Sequence, residues 1–337
     1  MTLQERKNAL IALGERLQHI PQDELEQLAL RTINENNWFN LANVTRAVKA
    51  WGEALQAEKV DFWLKDLKEE PSQTATIGLI MAGNIPLVGL HDLLTVLMAG
   101  HRAAVKFSSQ DKVLMQFIMS ELLKLAPAIE KQIEVVEQLK GIDAVIATGS
   151  DNTARYFKQY FGNKPHVIRQ NRTSIAVVTG NEDKEALNKL GKDIFTYYGL
   201  GCRNVSKIFI DKNADITQLI DGLMDYEDVL THHKYLNNYD YNKSIYLVNG
   251  EPHLDSGFFL MRETEELVSP ISVIYYEYFE NEAQLAVRLS TFADKTQCVV
   301  SDQGWYPHSL NFGDAQSPEL WDYADGVNTL DFLTSLT

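Results

Sequence analysis

Cys202, one of two cysteines in 337 residues, sits in the run Gly199-Leu200-Gly201-Cys202-Arg203. Glycines on both sides of Leu200 let the backbone take conformations other residues resist and leave the sulfur side open to a substrate. A thiolate near cationic or N–H-rich surroundings has a lowered pKa and becomes a strong nucleophile. Free cysteine is also among the most buried residue types, so a buried structural thiol is the competing reading of these five residues. Cys202 and Cys298 make neither a disulfide framework nor a metal-ligand spacing, which fits a thiol kept free in a reducing compartment.

Three other places carry residue types that could act on a carbonyl or hold a cofactor. Gly83-Asn84-Ile85-Pro86 follows an apolar strand and precedes a helix. An asparagine there can donate its amide to a developing oxyanion, although Asn before Pro is also common in plain turns. Lys106 closes the next strand, where its amine can reach a ribose or a phosphate, or simply face solvent. Thr148-Gly149-Ser150 ends a strand and opens a helix, a turn whose backbone N–H groups suit a pyrophosphate. No G-x-G-x-x-G, H-E-x-x-H or G-x-S-x-G occurs, so the ordinary dinucleotide fingerprint, a zinc site and a serine elbow are not expected; no metal is assigned.

The elements that must position these residues follow from hydrophobic periodicity. Residues 1–70 read as helical, with Leu10, Leu13 and Leu17, then Leu25 and Leu28, at helical spacing. Pro21 opens one helix, and a Lys- and Glu-rich helix is expected from Trp51 to Glu70. From Ala75 short apolar runs alternate with helices. Strands are expected at Thr76–Met81, Ala103–Phe107, Ile133–Val136 and Ala144–Ala147, with helices at Leu87–Ala99, Leu114–Leu125 and Asn152–Phe161. A second series has strands at Ile175–Val178 and Lys207–Ile210 and helices near Glu185–Tyr198 and Ile216–Met224. Asn237–Asn242 reads as a loop before a strand at Ser244–Val248. Such alternation predicts an α/β fold with two Rossmann-like parallel-sheet domains behind a helical N-terminal segment.

Acidic residues outnumber basic ones 46 to 31, for a formal net charge of −15. That balance argues against a nucleic-acid partner, which needs a basic footprint. No apolar h-region follows the first residues, and the apolar stretch from Ile77 to Gly100 contains Asn84, Pro86, His91 and Asp92. It is read as buried core with no membrane span, and a cytoplasmic location is expected.

Asn84, Lys106, Thr148-Gly149-Ser150, Gly-x-Gly-Cys202 and Glu266-Leu267-Val268-Ser269-Pro270 occur in an order and spacing that resemble the aldehyde dehydrogenase superfamily. Gly83–Gly89 and Val105-Lys106-Phe107-Ser108-Ser109 are most similar to its acyl-CoA reductase (LuxC-like) family, over roughly residues 70–335. The ending Asp325–Leu333 is also similar, with no chemistry assigned.

This resemblance implies roles residue by residue. Cys202 takes the acyl group as an enzyme thioester, and Asn84 with the Cys202 backbone N–H forms the oxyanion hole. Lys106 and Ser109 lie along the adenosine ribose, Thr148, Gly149 and Ser150 near the pyrophosphate, and Glu266 near the nicotinamide ribose. Hydrolytic relatives carry a glutamate in an E-L-G-G segment, where this chain has Ile168-Arg169-Gln170-Asn171-Arg172 and no carboxylate. Without a base to activate water, the thioester is left to hydride or another acceptor. Ser109 replaces the glutamate that NAD-preferring relatives place on the 2′-hydroxyl, which implies NADPH (NADP) as the cofactor.

The implied enzyme is an NADPH-dependent acyl-CoA or acyl-protein thioester reductase of fatty acid metabolism, forming an aldehyde. An acyl-phosphate reductase, a CoA-acylating aldehyde dehydrogenase and a non-catalytic acyl-carrying component of a multi-enzyme complex are the alternatives. An acyl-activating partner enzyme and a homo-oligomer are the partners the resemblance allows. Expected boundaries are a helical segment at 1–70, a cofactor domain at 71–173, a catalytic domain at 174–300 and a C-terminal segment at 301–337. That last segment is expected to return to the first domain, and the active site to lie in a cleft between domains. The aromatic run Tyr275, Tyr276, Tyr278 and Phe279 is read either as lining for an acyl tunnel or as core.

Overall fold

Thr2 and Glu5 form a reciprocal cap that starts α1 (Leu3–Gln18), whose buried face carries Leu10, Leu13 and Leu17. Pro21 precedes α2 (Gln22–Ile33), and Asn40 caps α3 (Leu41–Ala54). The expected single helix from Trp51 is instead broken at Leu55–Gln56, and α4 (Ala57–Trp63) follows. Leu55 is fully buried against Gly14, where any Cβ would stand 2.8 Å from the leucine's own, so the chain turns to seat it. The computed structural model describes residues 1–67 and 71–336, so the end of that expected helix, residues 68–70, lies outside it.

The chain divides into two compact units, Met1–Asn171 with Glu319–Thr337, and Arg172–Pro318. In the first unit the Ile77–Gly100 run becomes β1 (Thr76–Ile80) and α5 (Leu90–Met98). There follow β2 (Arg102–Lys106), α6 (Lys112–Leu125), β3 (Ile133–Val135), β4 (Ala144–Thr148), α7 (Asp151–Phe161) and β5 (His166–Arg169). Their order across the sheet is β3-β2-β1-β4-β5, all parallel. The strand order reverses between β1 and β4, which is where open parallel sheets form a crevice.

The second unit runs β6 (Thr173–Val178), α8 (Lys184–Phe195), β7 (Val205–Asp211), α9 (Ile216–Leu223), α10 (His233–Asn249), β8 (Leu254–Asp255), β9 (Leu260–Glu263), β10 (Val273–Phe279), α11 (Glu282–Thr291), β11 (Thr296–Ser301) and β12 (Leu310–Asn311). The sheet order is β12-β11-β6-β7-β10-β9-β8, parallel except for β8 against β9. The α/β architecture with parallel sheets is therefore as expected.

Two local expectations are corrected. The helix expected to reach Tyr198 stops at Phe195, because Tyr197 and Tyr198 are left-handed (φ 53° and 59°). The expected loop at 237–242 and strand at 244–248 are both part of α10. Its polar-looking sequence buries Tyr235, Tyr239, Asn242 and Tyr246 at helical spacing. The Asn242 amide donates to Ile271 O at 2.9 Å and Tyr239 donates to Asp255, so these two side chains are satisfied from outside the helix, whereas the Tyr235 hydroxyl is buried without a hydrogen-bond partner. Tyr275 and Phe279 pack in two hydrophobic clusters of this unit.

The chain then returns to the first unit, ending in α12 (Thr329–Thr334). The Trp63 indole donates to Tyr323 Oη at 2.9 Å, and His101 Nε2 lies 3.0 Å from Leu333 O. Arg169, at the end of β5, is buried between Asp92 Oδ2 (2.6 Å) and Thr329 Oγ1 (2.8 Å). Among the described residues, no helix is long and apolar enough to cross a membrane.

Breaking a buried ion pair by removing one partner costs about 3–5 kcal/mol, because the other charge stays buried. Arg169→Met should therefore lower the unfolding free energy by about that much in denaturant melts, and Asp92→Asn in the same chain should restore part of it. Full stability of the single variant would contradict this account.

Candidate active site

In the first unit, backbone register gathers the expected residues. Ile80 at the end of β1 pairs with Lys106 on one side and Ala147 on the other. The turns after β1, β2 and β4 therefore emerge at one edge, at the strand-order reversal, bringing Asn84, Lys106, Ser109 and Thr148-Gly149-Ser150 to that edge.

The turn that carries half-buried Asn84 is fixed from beneath. Asp111 Oδ2 accepts the Leu87 N–H at 2.7 Å, and the Asn36 amide donates to Gly83 O at 3.2 Å. Leu87 itself is left-handed (φ 60°), which is why α5 begins at Leu90 and not at Leu87 as expected. A Cβ on Gly83 would stand 2.4 Å from Ser108 Oγ, so only glycine fits there. Burial pushes the Asp111 carboxyl well above the usual range, opposed by the Leu87 N–H.

Lys106 and Ser109 are exposed. Ser150 caps α7, its Oγ accepting the Thr153 N–H at 3.3 Å, so that hydroxyl already serves the helix. The first-turn N–H groups of Asp151 and Asn152 have no intrahelical acceptor to meet. An exposed amine, an exposed hydroxyl and a helix N-terminus on one sheet edge form a donor set that fits the ribose and phosphates of a dinucleotide.

In the second unit, Cys202 is half-buried in the turn that enters β7. Gly199 uses its freedom at φ 80°, completing a left-handed run with Tyr197 and Tyr198. Asn204 then locks the loop. Its Oδ1 accepts the Gly201 N–H at 2.8 Å, and its Nδ2 reaches the carbonyls of Asp193 (3.0 Å), Ile194 (3.1 Å) and Thr196 (2.8 Å). Ser174 Oγ donates to Cys202 O at 3.1 Å and stands 3.1 Å from Cys298 Sγ. Burial pushes the Cys298 thiol up; the Ser174 contact and the Arg203 charge oppose this.

The other expected residue of this unit, Glu266, has an exposed carboxylate in the segment between β9 and β10. Ser206 Oγ, on β7, donates to Leu267 O at 3.1 Å. Lys207 Nζ donates to Thr264 O (2.5 Å), Glu266 O (3.2 Å) and Glu277 Oε2 (3.0 Å). Cys202 and Glu266 are thus both referred to the N-terminal end of β7. At 168–172 the first two residues finish β5, and Arg169 is taken up in its ion pair.

Sequence reasoning missed Asn204, Lys207, Asp111 and Asp193. A lysine in phase with Val205 and Phe209 in a strand was the readable signal for Lys207. Asp193 is fully buried on α8, and accepts the Gly313 N–H at 2.6 Å and the Ala315 N–H at 3.1 Å. Among the described residues, no group of three or more His, Cys, Asp or Glu is placed to hold a metal ion.

A family model described as acyl-CoA reductase (LuxC) matches residues 22–223. Among solved structures, the aldehyde dehydrogenase KauB from Pseudomonas aeruginosa is similar at 14% identity and a TM-score of 0.68, covering 94% of this chain and 74% of that one. An E. coli NADP-dependent enzyme gives 12% identity and a TM-score of 0.68 over 96% and 77%. An NAD+ complex of a Bacillus cereus aldehyde dehydrogenase gives 15% and 0.62 over 89% and 72%. The fold is that of the aldehyde dehydrogenases. A search among curated proteins returns no match.

Burial pushes the Asp193 carboxyl from 3.8 up to about 7, opposed by its two N–H bonds and by Lys192. The folded protein then holds a proton that the unfolded chain releases between about pH 4 and pH 7. The stability from this proton is complete below about pH 4 and lost as the pH rises to about 7. Asp193→Asn should remove this component, so its Tm relative to wild type rises across that window; a constant difference would contradict the assignment.

Proposed function

The chain belongs to the acyl-CoA reductase (LuxC) family, and on that premise we propose that it reduces a fatty acyl thioester, carried by coenzyme A or a protein, to the aldehyde with NADPH. Membership makes it an oxidoreductase of acyl and aldehyde groups. The finer reading rests on one observation. The segment that carries the water-activating glutamate in hydrolytic relatives has no carboxylate here, and its Arg169 is committed to Asp92 and Thr329. An acyl-enzyme without such a base is not directed toward water.

In this reading the Cys202 thiolate attacks the acyl carbonyl carbon. A new C–S bond forms and the carrier thiolate leaves. The Asn84 amide and the Cys202 N–H are assigned as donors to the oxygen on which charge develops. A reduced nicotinamide held by the residues named below would supply a hydride, which the thioester carbon accepts as its carbonyl opens to an alkoxide between the same two donors. That adduct collapses with release of aldehyde and return of the Cys202 thiolate. Lys106 and Ser109 are assigned to the adenosine ribose, Thr148-Gly149-Ser150 to the pyrophosphate, and Glu266 to the nicotinamide ribose. The Ser109 hydroxyl can donate to a 2′-phosphate, which a carboxylate would repel. Residues 71–173 are assigned to cofactor binding and 174–300 to the acyl chemistry, with an acyl-activating enzyme delivering the substrate.

Acyl-CoA with NADPH should lose absorbance at the reduced-nicotinamide band, and Cys202→Ala should abolish this. No turnover, or an unchanged variant, overturns the reading; preference for acyl phosphate would move the enzyme to that substrate class. Ser109→Glu should weaken NADPH by roughly tenfold or more, about 1.4 kcal/mol, while NADH changes less. A wild type with higher kcat/KM for NADH would overturn the cofactor assignment.

A further inference from the structure

We propose that Lys207 is a positioning residue for the reduction step, its ammonium fixing the backbone of residues 264–267 and so setting where the Glu266 carboxylate stands. The inference deepens the proposed function and rests on its assignment of Glu266 to the nicotinamide ribose.

Lys207 is 0% exposed, on a strand whose neighbours in phase are Val205 and Phe209. A charge in such a place is costly unless it is paired and fully hydrogen-bonded. All three ammonium hydrogens have acceptors: Thr264 O, Glu266 O and the Glu277 carboxylate. Glu277 does not need the lysine, because Arg288 already grips both its oxygens, at 2.6 Å and 2.8 Å. The ammonium also lies over the Phe209 and Phe292 rings, 5.3 Å and 5.9 Å from their centres, within cation–π range. Beyond these contacts it holds two carbonyls of one segment, whose Glu265 O takes a weaker bond from Arg288 at 3.4 Å.

That segment has reason to need holding. β9 and β10 are adjacent and parallel, and parallel neighbours are normally joined by a crossover of a dozen or more residues. Here residues 264–272 make the return without a helix or strand. Its carbonyls therefore take donors from β7: Lys207 for Thr264 and Glu266, Ser206 for Leu267. The Glu266 carboxylate projects into solvent from a peptide tied on both sides, so its place is inherited from β7.

The test separates the two half-reactions in the full-length protein. Cys202 acylation by decanoyl-CoA is followed by mass spectrometry without NADPH, and reduction of the acyl-enzyme by single turnover with NADPH. Lys207→Met should slow reduction by roughly 10–100-fold, the scale expected of misplacement by about 1 Å, with acylation essentially unchanged. Lys207→Arg should recover part of the loss. Combined with Glu266→Gln, Lys207→Met should add no further slowing, because residues acting through one contact are not additive. If Lys207→Met does not fold, Ser206→Ala should give a smaller loss confined to reduction. Equal losses in both half-reactions, additive losses with Glu266→Gln, or an unaffected reduction step in a competent enzyme would overturn this inference alone. A wild type that forms no acyl-enzyme would overturn the functional reading and this inference with it.

Discussion

A chain that leaves a helix at Phe195 and enters a strand at Val205 exposes carbonyls and amides that helix and sheet no longer satisfy. Asn204 meets four of them with one side chain, three carbonyls from Asp193 to Thr196 and the Gly201 amide. An unsatisfied buried backbone group costs about 1–3 kcal/mol, so the loop has one low-energy path and it runs through this amide. The left-handed tyrosines, the glycine after them and the thiol three residues further on follow from that path. The Cys202 sulfur stands where it does because an asparagine two residues later cannot be satisfied otherwise.

The first unit solves a similar problem with topology. A parallel sheet whose order reverses beside its central strand opens a crevice at its C-terminal edge. The residues in that crevice are placed by register, at the ends of β1, β2 and β4 or within four positions beyond them. Asp111 and Asn36 then hold the most irregular of the three turns. In both units a buried polar side chain shapes a turn that carries an accessible group.

Much of this was legible in the residues. Buried parallel strands are short apolar runs between polar helices, so β1, β2, β4, β6 and β7 stand out, and chemistry at strand ends can be located from them. What stayed hidden is polar chemistry inside the fold. α10 reads as a loop because Tyr239 and Asn242 are buried with partners from distant segments, which periodicity of apolar residues does not register. Tyr197 and Tyr198 give no local sign of a left-handed path, since a positive φ at bulky residues is imposed by surroundings. Trp51 to Glu70 reads as one helix because the contact that breaks it, Leu55 on Gly14, spans 41 positions. Ser150 is a mixed case: its place at the strand-helix turn is readable, its commitment to Thr153 is not.

The return of residues 319–336 to the first unit has a bearing on how the protein is made. A ribosome releases Arg172–Pro318 before it releases Thr329 and Leu333, which Arg169 and His101 wait for. The unit begun first is therefore finished last, and the inserted one can complete its sheet while the other still lacks its closing helix. During synthesis the sheet edge that carries Asn84 and Lys106 and the loop that carries Cys202 mature in the reverse of their order along the chain.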